Sequence, residues 1–173
     1  MINHGTEHYI KTPEEFEAIP GSLEAIATLN KQGYRVLIAT NQSGIARGLY
    51  SLEMLDCIHE KMVQQLASVG GYIEEIFCCP HHPDEHCDCR KPKPGLLHQI
   101  NKKYPLKVSE TFFIGDSHVD VAAALSFGCQ PLLVLTGKGQ KALTEHAFLA
   151  EVPAFKNLSD AVQFILHPNE IMD

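Results

Sequence analysis

The chain is 173 residues long, 45% apolar and 20% charged, a composition that suits one compact soluble domain with a substantial buried core. Its formal net charge of −7 argues against a nucleic-acid surface, so an anionic substrate has to be met by a local cluster of positive groups. No apolar run reaches the roughly 18 residues of a membrane span, and the polar opening from Met1 to Tyr9 lacks a signal-peptide core. A cytoplasmic location is therefore expected, with neither membrane nor nucleic acid as a partner.

Short apolar runs alternate with amphipathic segments along the chain. Ser22 is placed to cap a helix running to about Lys31, which Gly33 closes. Tyr34 to Ala39 reads as a strand ending at Thr40-Asn41-Gln42, and Ser51 caps a second helix whose apolar positions Leu52, Leu55, Ile58, Met62 and Leu66 keep a helical period. Tyr72 to Cys78 is a strand. Pro94 opens a helix through Tyr104. Thr111 to Ile114 reads as a short buried strand, followed by Gly115-Asp116 and a helix to Phe127 stopped by Gly128. Pro131 to Leu135 is a further strand, and Ser159 to Leu166 a final helix. Such alternation predicts the α/β class, a three-layer α/β/α Rossmann-like parallel sheet with helices on both faces. Chemistry gathers at the carboxyl ends of the strands in such sheets, and Thr40 and Asp116 both fall at that edge.

Six cysteines are present, four of them between Cys78 and Cys89. Clustering of this kind in a cytosolic chain reads as metal ligation rather than disulfides. Residues 79–89 offer a C-x-H followed by a C-x-C. Cys79, Cys87, Cys89 and one histidine would close a tetrahedral Zn²⁺ site with no free position, which makes it structural. His81 fits the spacing best, with His82 and His86 as alternatives, and Cys78 is placed on the strand, facing the core.

Arg90 and Lys91 follow at once, between that loop and the proline-restricted run Pro92-Lys93-Pro94. A cation pair so held can grip a phosphoryl group or a second anionic substituent. Thr40 can donate to a phosphate oxygen, and Asp116 at the mouth of a strand suits Mg²⁺. Asp120, four residues on, either supports that site or caps the helix.

The order Thr40, Lys91, Asp116 resembles motifs II, III and IV of the haloacid-dehalogenase superfamily. Thr40-Asn41-Gln42-Ser43-Gly44-Ile45-Ala46-Arg47-Gly48, Cys79-Pro80-His81-His82-Pro83 and Cys87-Asp88-Cys89-Arg90-Lys91-Pro92 narrow the likeness to the D-glycero-D-manno-heptose 1,7-bisphosphate 7-phosphatases, over essentially the whole chain. The histidinol-phosphate phosphatases rank second. This resemblance implies a Mg²⁺-dependent phosphomonoester hydrolase of lipopolysaccharide heptose synthesis. Its reaction runs through an aspartyl-phosphate, with a second aspartate as acid and base. Thr40 and Lys91 would stabilise the phosphoryl group, and Asp116 would bind Mg²⁺. Asn41, Gln42, Ser43, Arg90 and Tyr9 would contact the sugar phosphate, approached by residues 3–9. Cys79, His81, Cys87 and Cys89 would bind Zn²⁺. Residues 1–173 are expected to form a single domain and, unless strands exchange, a monomer.

The family opens with an apolar strand ending D-x-D-G-[VT]-I-N, which carries both catalytic aspartates. Ile2-Asn3 match the end of that motif, and the numbered residues hold no Asp-x-Asp. The haloacid-dehalogenase-like fold is therefore expected here with its first central strand missing, and the chain as given is expected to be inactive. A valine initiator codon that appears as Met1 is preferred to a true truncation, which would leave a zinc-containing pseudoenzyme or binding module. Adjacent strands lie about 4.8 Å apart, so an empty central place would separate its neighbours by about 9.6 Å. Collapse, filling by another segment, or marginal stability is expected to follow.

Overall fold

Among the described residues, 1–4 and 9–168 of the computed structural model, six helices and five strands alternate strictly along the chain. They are α1 (Ser22–Lys31), β1 (Leu37–Asn41), α2 (Leu52–Ser68), β2 (Glu75–Cys79), α3 (Gly95–Lys103), β3 (Phe112–Gly115), α4 (His118–Phe127), β4 (Gln130–Val134), α5 (Gly139–Glu145), β5 (Ala154–Phe155) and α6 (Leu158–Leu166). Every strand pairing between them is parallel. β1 pairs with β2 from Leu37↔Glu75 to Asn41↔Cys79, and β3 pairs with β4 from Phe112↔Gln130 to Gly115↔Leu133. β5 extends the second sheet beside β4.

Period-two alternation distributes the strand side chains between two helical layers. Ile38 and Ile76 pack towards Ile58 and Met62 of α2, while Leu37, Ala39 and Phe77 pack towards Leu97 and Ile100 of α3 and Ala123 of α4. In the second sheet, Phe112, Ile114 and Leu132 meet α1 and α6, and Leu133 meets Val121 and Ala142 on the other face. The three-layer α/β/α class read from the sequence is the one observed.

Several local readings need correction. Ser22 is the first residue of α1, not its cap: Gly21 holds the cap position, and the Ser22 hydroxyl donates instead to the Ile2 carbonyl at 2.6 Å. β1 starts at Leu37 because Tyr34 is still engaged by the end of α1, its N–H donating to the Leu29 carbonyl at 3.0 Å. Leu52 is 54% exposed, since the first turn of α2 projects beyond the layer that buries Leu55, Ile58, Met62 and Leu66. Ser51 caps α2 as expected, accepting from the Met54 N–H at 3.2 Å.

β3 is half-buried rather than buried. The reason is the relation between the two sheets: β1 and β3 do not pair with each other, and a cavity of about 820 Å³ runs between them. Its walls include Val36, Ile38, Phe112 and Ile114, and Ile2 enters from one side. The neighbouring strands have neither collapsed together nor paired. Asn3 and Ala18 form an isolated antiparallel bridge beside this slot.

Candidate active site and metal centre

β1 and β3 are parallel in sense to their partners and deliver Thr40 and Asp116 to the carboxyl-end edge, where both line the slot together with Lys91 and Asp120. Thr40 lies within β1, and its Oγ1 accepts from the Gln42 amide at 3.1 Å. Gln42 is in turn held by the Tyr50 hydroxyl, which donates to its Oε1 at 2.7 Å. Asn41 clamps the peptide of Lys91 from both sides: its Nδ2 donates to the Lys91 carbonyl at 3.0 Å, and its Oδ1 accepts from the Lys91 N–H at 3.1 Å. The amide of Asn41 is thus committed to positioning Lys91.

The Lys91 ammonium donates to the Ala39 carbonyl at 2.7 Å and to Asp120 Oδ1 at 2.6 Å. Asp120 is 6% exposed, and its second oxygen accepts from the Ser117 hydroxyl at 2.5 Å. Asp120 therefore serves as the counter-ion of Lys91. Lys91 reaches from the end of β1 to the first turn of α4 and ties the two sheets together at the mouth of the slot.

Asp116 follows β3 with its carboxylate partly open, and Oδ2 accepts from the Met1 α-ammonium at 3.1 Å. A partly open hard oxygen donor at the mouth of the slot fits Mg²⁺. Gly137, with φ of 62°, passes so close to this carboxylate that any Cβ would overlap Oδ2. The Thr136–Lys138 turn therefore belongs to the site, although sequence periodicity gave no sign of it. The Thr136 hydroxyl there is buried without a hydrogen-bond partner.

Beside β1, the Tyr9 hydroxyl lies 3.2 Å from Ser43 Oγ. That hydrogen bond chiefly, and then the guanidiniums of Arg47 and Arg90, hold the phenol below its ordinary pKa against the opposing effect of burial. Arg47 was not among the residues picked out from sequence. The Gly-flanked turn bearing it, just after the Thr-Asn-Gln end of a strand, was the available signal. Residues 5–8, part of the segment expected to approach the sugar, lie outside the described residues.

Cys79, His81, Cys87 and Cys89 converge, their four donor atoms all within 4.8 Å of one another. The sulfurs of Cys87 and Cys89 are 3.5 Å apart, those of Cys79 and Cys87 3.6 Å, and His81 Nδ1 is 3.2 Å from Cys89 Sγ. A tetrahedral zinc with Zn–S near 2.3 Å places sulfurs about 3.8 Å apart, so the donor set fits. Burial works against ionisation of Cys87, yet hydrogen bonds from the neighbouring thiols and the Arg90 backbone bring it down to about 7. Among the three candidate histidines, His82 caps the turn Pro83–Glu85 through Asp84 N–H and His86 turns outward, which leaves His81 in the cluster. Cys78 stays outside it on β2, its thiol pushed up to about 11 by burial.

A family model for HAD-hydrolase-like proteins matches residues 88–161. The D-glycero-β-D-manno-heptose-1,7-bisphosphate 7-phosphatase of Pseudomonas putida is 51% identical over 83% of this chain and 82% of its own length. The same-named protein of Neisseria meningitidis serogroup A is 39% identical, covering 98% of this chain and 91% of the relative. Among solved structures, the D,D-heptose 1,7-bisphosphate phosphatase of B. bronchiseptica, complexed with magnesium and phosphate, superposes with a TM-score of 0.94 at 40% identity, over 97% of this chain and 94% of that one.

Proposed function

The chain belongs to the D-glycero-β-D-manno-heptose-1,7-bisphosphate 7-phosphatase family of HAD-like hydrolases, and from that premise we propose that its site binds the 7-phosphate of this sugar for Mg²⁺-dependent hydrolysis. The observation that carries the reading is the meeting of Thr40, Lys91 and Asp116 at one end of the slot, with Lys91 aimed by Asn41 and Asp120. The Thr40 hydroxyl and the Lys91 ammonium would hold the non-bridging oxygens, Thr40 as a directional donor and Lys91 as a compact point charge. Asp116 would carry Mg²⁺, which when bound offsets charge on the transferring group. Gln42 orients Thr40, while Ser43, Tyr9 and Arg90 flank the sugar. Cys79, His81, Cys87 and Cys89 would hold structural Zn²⁺ and so fix the backbone that leads into Arg90 and Lys91. The 173 residues act as one domain and a cytoplasmic monomer.

No Asp-x-Asp occurs in the sequence given, so these residues position phosphate without supplying the attacking carboxylate. The slot between β1 and β3 suits an extended apolar segment with a free edge to satisfy on each side. Adding a strand that ends Asp-x-Asp-Gly ahead of Ile2 should create Mg²⁺-dependent phosphate release from heptose 1,7-bisphosphate, with histidinol phosphate a poorer substrate. Robust turnover by the unextended chain would mean that the nucleophile lies elsewhere. An extended chain that folds but stays inert would remove the reading altogether.

A further inference from the structure

Thr40 and Gln42 both line the slot at the end of β1, whereas Tyr50 is buried, 8% exposed, and is not among the lining residues. Tyr50 nevertheless reaches the site through one amide. Its hydroxyl donates to Gln42 Oε1 at 2.7 Å, and Gln42 Nε2 donates to Thr40 Oγ1 at 3.1 Å. The direction of this relay decides what Thr40 can do. A threonine hydroxyl carries one proton and two lone pairs. Because Oγ1 already accepts from Gln42, its own proton is turned away from the amide and stays free for an anion in the slot. With the amide reversed, Oε1 would face Thr40 and take that proton itself. A donor at the far end of the amide excludes the reversed orientation, and the Tyr50 hydroxyl is that donor.

The fold holds this donor in place from several sides. The Gln42 N–H donates to the Cys79 carbonyl at 2.7 Å, which fixes its backbone to the end of β2. The chain then turns back on itself, with Arg47 N–H donating to the Ser43 carbonyl at 3.0 Å and Leu49 N–H to the Gly44 carbonyl at 2.9 Å. This turn lays the Tyr50 ring against Gly44, where a Cβ would come within 2.6 Å of the hydroxyl oxygen. Ser51, the next residue, caps α2 and anchors the backbone beyond the ring. Burial raises the Tyr50 pKa, with lesser contributions from Tyr9 and Cys78, so the phenol keeps its proton and remains a donor.

We propose that Tyr50 is a positioning residue for phosphate binding: through Gln42 it aims the Thr40 hydroxyl proton at the phosphoryl oxygens. This rests on the reading of Thr40 as a phosphate ligand. It adds a buried residue outside the slot to those that decide how well the slot holds phosphate.

The test is calorimetric titration of the full chain with inorganic phosphate, comparing wild type, Tyr50→Phe, Thr40→Val and the double variant. Tyr50→Phe should weaken phosphate binding about fivefold, the weight of one directed hydrogen bond, and should have no effect where Thr40 is already valine. A Tyr50 that only shapes the turn would weaken binding equally in both backgrounds, and that result overturns the proposal. So does an unchanged affinity in Tyr50→Phe. Gln42→Met breaks the same relay at its middle member and should reproduce the loss, which keeps the test decisive if Tyr50→Phe fails to fold. Full phosphate affinity in Gln42→Met overturns the proposal as well. These outcomes leave the phosphatase reading standing, whereas a wild type that does not bind phosphate overturns both.

Discussion

Replacing Lys91 by Met removes the ammonium while keeping most of the apolar stem. Asp120 is then left as a carboxylate with a single hydrogen bond, from Ser117, in surroundings where its side chain is 9% accessible and that of Lys91 10%. Removing one member of a buried pair typically costs about 3–5 kcal/mol, because the survivor keeps its desolvation without its partner. The lower end applies here: Ser117 still serves one oxygen, and the slot admits water to the other. The Ala39 carbonyl also loses its donor, so about 3 kcal/mol in total is expected, or a fall in melting temperature of roughly 6–12 °C for a chain of this size. Asp120→Asn should cost less alone, and the double variant should recover about 2 kcal/mol of the sum. Urea denaturation of the four proteins measures this cycle. Additive effects, or a Lys91→Met cost below about 1 kcal/mol, would refute the view of this pair as a tie between the two sheets.

Three further outcomes are expected. Metal analysis of protein purified without chelator should find about one zinc per chain, lost in Cys89→Ser but kept in Cys78→Ala, because Cys78 lies outside the four-residue cluster. Gly44→Ala should cost about 1–3 kcal/mol in urea denaturation, since the new Cβ meets the Tyr50 ring; unchanged stability would show that Tyr50 moves freely. His59 is held below its ordinary value of 6.5 by burial, which Asp56 only partly offsets. The unfolded chain then binds the proton more readily, so stability is full above about pH 6.5 and falls as pH drops towards the folded-state value. His59→Gln should flatten that slope between pH 7.5 and 5, and parallel curves for the two proteins would exclude His59 as its source.

How much of this was legible in the sequence varies with the range over which each interaction acts. Ser51 and the spacing of Leu55, Ile58, Met62 and Leu66 announce α2 because a cap and a helical stripe are local facts. The C-x-H and C-x-C pairs announce the metal cluster for the same reason, two donors from each short run. α5 and β5 went unread: α5 is seven residues with little apolar content, and β5 is two residues whose strand character comes only from pairing with β4. Ser22 misled because a hydroxyl beside a helix start can satisfy either the helix or a distant carbonyl, and here Ile2 supplies the carbonyl.

Asp120 shows the same limit within the site. Four residues after Asp116, it could be read as a metal support or a helix cap, and both readings kept it within its own element. Its actual partner is 29 positions earlier, on the segment that follows the metal loop. Lys91 in turn is aimed by Asn41, 50 residues before it, so the cation depends on contacts to β1 and to α4 at once. Sequence order placed Thr40, Lys91 and Asp116 at the ends of their own elements. Only the folded chain shows that one of the three spans both sheets, and hence that whatever occupies the slot between β1 and β3 also sets the distance over which Lys91 must reach.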